Sequence, residues 1–333
     1  MSEILDVAVR GMTLIYGPPG SGKTSLALRV AGSMANKTLW ISTAEGPDLL
    51  KEAAKRLAVD PSKFDFLDFP RAFQKDIARY ILDHASSYDA VVIDSVEGVA
   101  GRQNIDVVTH SVLYQVAKEK PVILVAEEET PRIAYVADHV IHVWYRINSL
   151  GHIIRYIQLE KSRTRPPSPR YLFDIIEGAG IMYIYPTPTR GKGEVVEDEK
   201  LGITAPRRST ICIHSEKVKN VTSLLSKIKD RSIFLQVSYW TSFHGLEIKE
   251  EQIHVVKIFH DIYKFIYDLA TNGPKASYLV VGGLLNMPEE DRREYLIPLG
   301  IALNFVDFLL LVDVGSKEET DRLKKYCDDI IEV

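Results

Sequence analysis

The sequence predicts an α/β protein with a predominantly parallel sheet, followed by a second, smaller α/β domain. Apolar runs of strand length alternate with helical patterns through the first half of the chain. A glycine-rich turn joins the first of those runs to the first helix, and the alternation resumes after a polar, turn-rich stretch at 187–208. At 333 residues the chain exceeds the roughly 100 to 200 residues of a single domain, so two domains are expected.

Taken in order, Met12 to Tyr16, Thr38 to Thr43, Phe64 to Phe69, Ala90 to Asp94, Val122 to Ala126 and Val140 to Trp144 read as strands of one sheet. Between them, Lys23 to Met34, Pro47 to Leu57 and Ala72 to Ala85 carry apolar residues three and four apart, the helical spacing. Ile153 to Leu159 and Ile181 to Tyr185 read as antiparallel edge strands separated by the Pro- and Arg-rich loop Thr164 to Arg170. A first domain of residues 1–186 follows, then a linker at 187–208 and a second domain at 209–333. In the second domain, strands are expected near Thr210 to His214, Ser232 to Tyr239, Tyr278 to Val281, Phe308 to Val312 and Ile330 to Val333. A long helix over Glu250 to Ala270 would put Ile253, Val256, Phe259, Ile262, Ile266 and Leu269 on one face.

Composition narrows the function classes. Hydrophobic residues make up 46% and charged residues 26%, and no apolar run approaches the roughly 18 residues of a membrane span, so no membrane partner is expected. The N-terminus lacks a basic segment followed by an apolar core, which points to the cytoplasm. The two cysteines, Cys212 and Cys327, are too few for a disulfide framework or a zinc site and read as buried thiols. A net charge of −4 argues against a basic coat for nucleic acid but leaves a local basic groove open.

The chemistry concentrates at Gly17, Pro18, Pro19, Gly20, Ser21, Gly22, Lys23, Thr24 and Ser25. The first eight fit G-x-x-x-x-G-K-[ST], set between a strand and a helix as a phosphate-binding loop requires. Glycines let successive N–H groups face the phosphates, Lys23 reaches the β and γ oxygens, and Thr24 offers its hydroxyl to Mg2+. ATP and Mg2+ are therefore the expected ligands. Asp94, closing the run Ala-Val-Val-Ile-Asp, is the expected carboxylate on the magnesium side, although an aspartate can also cap a turn there. Glu45, delivered to the carboxyl edge of the sheet, is the candidate base for the attacking water; its alternative is an acid favouring the first turn of the next helix. Glu127, Glu128 and Glu129 follow another strand at the same edge and are weighed between a γ-phosphate sensor and a solvated loop. The second domain has no such loop, since Gly282 and Gly283 are not followed by Lys-Ser/Thr, so one ATP site per chain is expected.

Together LIYGPPGSGKT, LWISTAEGPDLL, VVIDSVEGVA, YVADHVIHV, LEKSRT and GAGIMYIYP resemble, in order and spacing, the KaiC-like branch of the RecA-type ATPases over roughly residues 1–186. The resemblance implies a RecA-like P-loop core and a homo-oligomeric, plausibly hexameric ring. It also implies that Lys161 and Arg163 act in the neighbouring subunit's site, as an arginine finger does. Two adjacent glutamates are usual in that family where this chain has Ala44 and Glu45, which implies slow hydrolysis. Clock function and autophosphorylation are not implied, because the second phosphate loop is missing.

Other constellations are weaker. His139 and His142, three apart in a strand, face opposite sides and read as structural. Arg163, Arg165 and Arg170 could bind a nucleic-acid backbone, but the same arginines serve the finger or a subunit interface, which is the stronger reading. Tyr239, Trp240 and Phe243 read as packing before stacking. Three functions are left: a ring-forming regulatory ATPase with a protein partner, a recombinase or repair paralogue gripping single-stranded DNA, and a nucleotide switch with little hydrolysis.

Overall fold

Strands form where the chain is apolar on both faces, and the first five are β1 (Met12–Tyr16), β2 (Thr38–Ser42), β3 (Phe64–Asp68), β4 (Ala90–Asp94) and β5 (Val122–Ala126). The computed structural model describes residues 4–69, 74–99, 108–127, 131–184, 194–238, 243–273, 276–315 and 324–333. They divide into two units, one of residues 1–146 and 154–183, the other of 147–153 and 184–333.

In the first unit β6 (His139–Ile147), β7 (Ile153–Ser162), β8 (Tyr171–Ile176) and β9 (Gly180–Ile184) complete a nine-stranded sheet, ordered β3-β2-β4-β5-β1-β6-β7-β8-β9. Strands β1 to β6 pair in parallel, with Met12 opposite Val122, Thr38 opposite Ala90 and Leu14 opposite Val140; β7 and β8 are antiparallel. The two-residue period splits each central strand between two cores. Ile15 and Trp40 join one core with Leu26, Leu28, Phe64 and Phe66, while Met12, Leu14, Leu39 and Ile41 join the other with Ile77 and Ile81. Helices α1 (Lys23–Met34) and α2 (Pro47–Arg56) cover the first core, and α3 (Gln74–His84) covers the second.

Several expectations need correction. Strand β8 was not anticipated, because Asp174 sits in the middle of it; the carboxylate is buried and tolerated there through its 2.7 Å ion pair with Arg155. The segment read as a linker at 187–208 contains a hairpin, β10 (Val195–Asp198) paired with β11 (Ile203–Pro206), and its Leu201 and Ala205 are buried in the second unit's core. Charged residues hid the alternation there, and Asp198 Oδ1 closes the turn by accepting the N–H groups of Lys200 and Leu201. The third is the helix expected over Glu250 to Ala270. Residues Ile253–Val255 form β14, and the helix spans His260–Asn272. Asp261 sets its start by accepting the N–H groups of Lys257 and Ile258 at 2.7 and 3.0 Å.

The second sheet comprises β12 (Ser209–Ser215), β13 (Ser232–Gln236), β14, β15 (Tyr278–Gly282), β16 (Phe308–Val314) and β17 (Asp329–Glu332), all paired in parallel. Its order, β14-β13-β15-β16-β12-β17, repeats that of β3-β2-β4-β5-β1-β6 strand for strand. The second unit thus has the topology of the first without its antiparallel extension. The turn 147–153 belongs to this unit, where Asn148 Nδ2 donates to the Tyr295 hydroxyl at 2.9 Å and His152 Nδ1 lies 2.6 Å from the same oxygen. Cys212 and Cys327 are not free thiols: they are disulfide-bonded, with Cα atoms 5.7 Å apart. Pairing β12 with β17, at Cys212 opposite Ile330, brings together cysteines 115 residues apart, which spacing alone does not reveal. Among the described residues, no helix is long and apolar enough to cross a membrane.

Candidate active site

The phosphate loop folds as it does because of contacts at both ends. Gly17 follows β1 with its N–H on the carbonyl of Ala126, and a Cβ there would lie 1.7 Å from the backbone oxygen of Val143, so no other residue fits. Gly20 and Gly22 take φ of 77° and 101°, in the left-handed region that favours glycine. Around Gly20 a Cβ would meet nothing within 4 Å, which leaves the mouth of the loop open. Gly22 is the N-cap of α1, so the first free N–H groups of that helix point toward the loop.

Lys23 is buried, and its ammonium donates to the carbonyl of Pro18 at 3.0 Å. Burial lowers its pKa, against the pull of Asp94, Glu127 and Glu97, which lie within electrostatic reach. Thr24 Oγ1 donates to Asp94 Oδ2 at 2.8 Å, joining the start of α1 to the end of β4. Burial pushes the Asp94 carboxyl up to about 6; the charges of Glu45 and Glu97 add to the rise, and the Thr24 hydroxyl and Lys23 oppose it. The phosphate loop thus faces a surplus of carboxylates.

ATP with magnesium fits these residues. The loop is open at Gly20, where a Cβ would meet nothing within 4 Å, and the free N–H groups at the start of α1 lie beside it, which suits phosphate oxygens. The Thr24 hydroxyl and Asp94 carboxylate are the few oxygens Mg2+ takes from protein when phosphates and water complete its shell. Lys23, the loop amides and a divalent cation would balance the carboxylates and the triphosphate together.

Glu45 is exposed at the end of β2, yet its backbone is held. Ser42 Oγ accepts the N–H groups of Ala44 and Glu45 at 3.4 and 2.9 Å. Thr43 bridges to the next strand end, its N–H donating to the Asp94 carbonyl and its hydroxyl receiving the Ser95 N–H at 3.1 Å. Glu127 N–H, at the tip of β5, donates to Glu97 Oε1 at 2.9 Å. Glu128 and Glu129 lie outside the described residues, as do Tyr239 and Trp240. Glu97 was missed in the sequence because it sits on a helical turn at 96–99 beyond the expected strand; its spacing of three from Asp94 was the available signal.

Lys161 and Arg163, at the end of β7, are both engaged within the chain. The Lys161 ammonium donates to the carbonyls of Ala134, Tyr135 and Ala137 at 2.8, 2.9 and 2.7 Å, capping the helix Pro131–Val136. Arg163 pairs with Asp138 at 2.9 Å, its side chain 58% exposed. Arg170 stacks over Trp144. His142 stacks on Tyr16 with ring centroids 4.4 Å apart and pairs with Glu160, while His139 meets Ser162, so the two histidines share no ligand. Among the described residues, no group of three or more His, Cys, Asp or Glu is arranged to hold a metal. Phe243 packs edge-on against Phe234 in the second core.

Residues 13–127, from β1 through the tip of β5, match the ATPase family associated with various cellular activities (AAA). The chain is a P-loop ATPase. The matched span holds the phosphate loop, Glu45, Asp94, Glu97 and Glu127, all within the first unit. No curated protein matches the chain. The match covers about a third of the chain and falls in a branch of the P-loop ATPases other than the RecA-type branch that the sequence resembles. In the second unit the corresponding positions lack the machinery: Glu216-Lys217 follows β12 where β1 is followed by the loop, and Gly282 ends β15 where Asp94 ends β4.

Proposed function

We propose that this ATPase is of the RecA type, KaiC-like in its details, and works as a homo-oligomeric ring in which Arg163 of one subunit completes the site of the next. The observation that carries the proposal is the arrangement at the end of β7. Arg163 projects from the antiparallel extension with its side chain 58% exposed, held in one direction by Asp138. Lys161, its ammonium saturated by three carbonyls at and just past the end of the helix Pro131–Val136, acts as the anchor of that strand end and leaves the finger role to Arg163. In hydrolysis, Lys23 and the loop amides bind the phosphates, Thr24 and Asp94 hold magnesium, Glu45 orients the attacking water, and Arg163 neutralises charge on the transferring group. The second unit, with the same strand order but without the loop and the aspartate, transmits the nucleotide state to a protein partner.

Mixing tests the ring. Lys23→Ala removes the phosphate contact and Arg163→Ala the finger, and each alone should lower turnover, the latter by about 10³-fold. An equimolar mixture should recover a fraction of wild-type turnover, because some sites then pair an intact loop with an intact finger. A mixture as inactive as its components, or a monomer that hydrolyses ATP at full rate, would refute the arrangement. Salt-dependent stimulation by single-stranded DNA would favour the repair paralogue instead.

A further inference from the structure

We infer that Glu97 is a second catalytic carboxylate of this site, taking the place beside Glu45 that Ala44 leaves empty of charge. The inference rests on the ATPase reading but not on ring formation. Glu97 Oε1 accepts the N–H of Glu127, whereas Oε2 is buried with no partner among the described residues. A buried carboxylate oxygen is costly unless something satisfies it, and a small movement of the turn on nucleotide binding would open this one to the attacking water. Glu97 stands at the edge of the site: it follows Asp94 by three residues and accepts from the tip of β5, and its charge acts on both Lys23 and Asp94.

The local fold holds Glu97 in place. Ser95 is tied to Thr43 in both directions, with its N–H donating to the Thr43 hydroxyl at 3.1 Å and that hydroxyl donating to the Ser95 carbonyl at 3.3 Å. Gly98 N–H closes the turn on the Ser95 carbonyl at 3.1 Å, and a Cβ on Gly98 would lie 2.0 Å from Thr43 Oγ1. The turn at 96–99 is therefore bolted to the end of β2 that carries Glu45, and tied through Glu97 to the tip of β5. In the step itself, the water oxygen bonds to the γ-phosphorus as the bond from phosphorus to the β–γ bridging oxygen breaks. Glu97 Oε2 takes a water proton, the bridging oxygen keeps the electron pair as ADP leaves, and the proton returns to solvent with release of phosphate.

The test compares Glu97→Gln, Glu97→Ala, Lys23→Ala and wild type in the full chain, reading ATP affinity by calorimetry, turnover, and thermal stability. Glutamine keeps an acceptor for the Glu127 N–H but cannot take a proton. Glu97→Gln should bind ATP within about threefold of wild type, keep its melting temperature, and turn over about 10²-fold slower. If Glu97→Gln hydrolyses like wild type while Glu97→Ala is impaired, Glu97 only supports the β5 tip and the inference falls. If wild type itself shows no turnover above Lys23→Ala, hydrolysis at this loop fails, and the inference with it. Loss of assembly without loss of the Glu97 effect would refute the ring alone.

Discussion

Gly98→Ala joins local packing to catalysis in one substitution. A Cβ at Gly98 would stand 2.0 Å from Oγ1, 2.5 Å from Cβ and 2.9 Å from Cγ2 of Thr43. Thr43 cannot yield cheaply, since turning its hydroxyl away breaks both bonds to Ser95. Two lost hydrogen bonds at about 1 kcal/mol each, or overpacking of about 1–3 kcal/mol if the backbone moves instead, give a local cost of about 1–3 kcal/mol by either route. Hydrogen exchange reads this directly: protection of the Thr43 and Ser95 amides should fall by about 5- to 150-fold, at 1.4 kcal/mol per factor of ten. Because this turn carries Glu97 and borders Asp94 and Glu45, a displacement near 1 Å should also lower turnover by about 10²-fold. ATP affinity, set by the loop on the far side of Asp94, should change much less. Amide protection and turnover both unchanged would refute the view that Thr43 braces the catalytic edge.

Thr24→Val removes the hydroxyl bonded to Asp94, and should lower magnesium-dependent turnover by about 10²-fold while making ATP affinity less sensitive to magnesium, read by titrating Mg2+ at fixed ATP. Burial lowers the pKa of His139, His152 and His254 in the folded chain. The unfolded chain then binds more protons, so stability is full above the unfolded value near 6.5 and is lost as pH falls from there through the lowered folded values; urea midpoints measured from pH 8 to pH 5 should drop, and a flat profile would contradict the burial. Reducing the bond between Cys212 and Cys327, which spans 115 residues, should destabilise the second unit by about 2–4 kcal/mol and expose the amides of β17 to exchange, with ATP turnover intact.

The nucleotide site was largely legible because most of its parts are local. Gly17 to Ser25 form one turn, α1 follows it directly, and Asp94 closes a fully apolar run, so residue type and short-range spacing carried the chemistry. Glu97 was not legible. A carboxylate three residues after a strand is commonplace, and what distinguishes this one is an unpaired oxygen created by packing against the tip of β5. Strand β14 escaped for a related reason: Ile253, Val256 and Phe259 satisfy helical spacing, and only pairing with β13 decided the backbone there. The hairpin at 195–206 was masked by charge on its exposed face.

By itself, then, the sequence determined the phosphate loop, the central strands and the helix that follows the loop, all of which depend on residues near one another along the chain. The tertiary structure alone decided which strands are neighbours. Strand order is set by side chains meeting across the whole fold, as where Met12 lies beside Val122 and Cys212 beside Ile330. That ordering made the second sheet a repeat of the first, brought Cys327 to Cys212, turned Lys161 onto backbone carbonyls, and set Glu97 against the tip of β5.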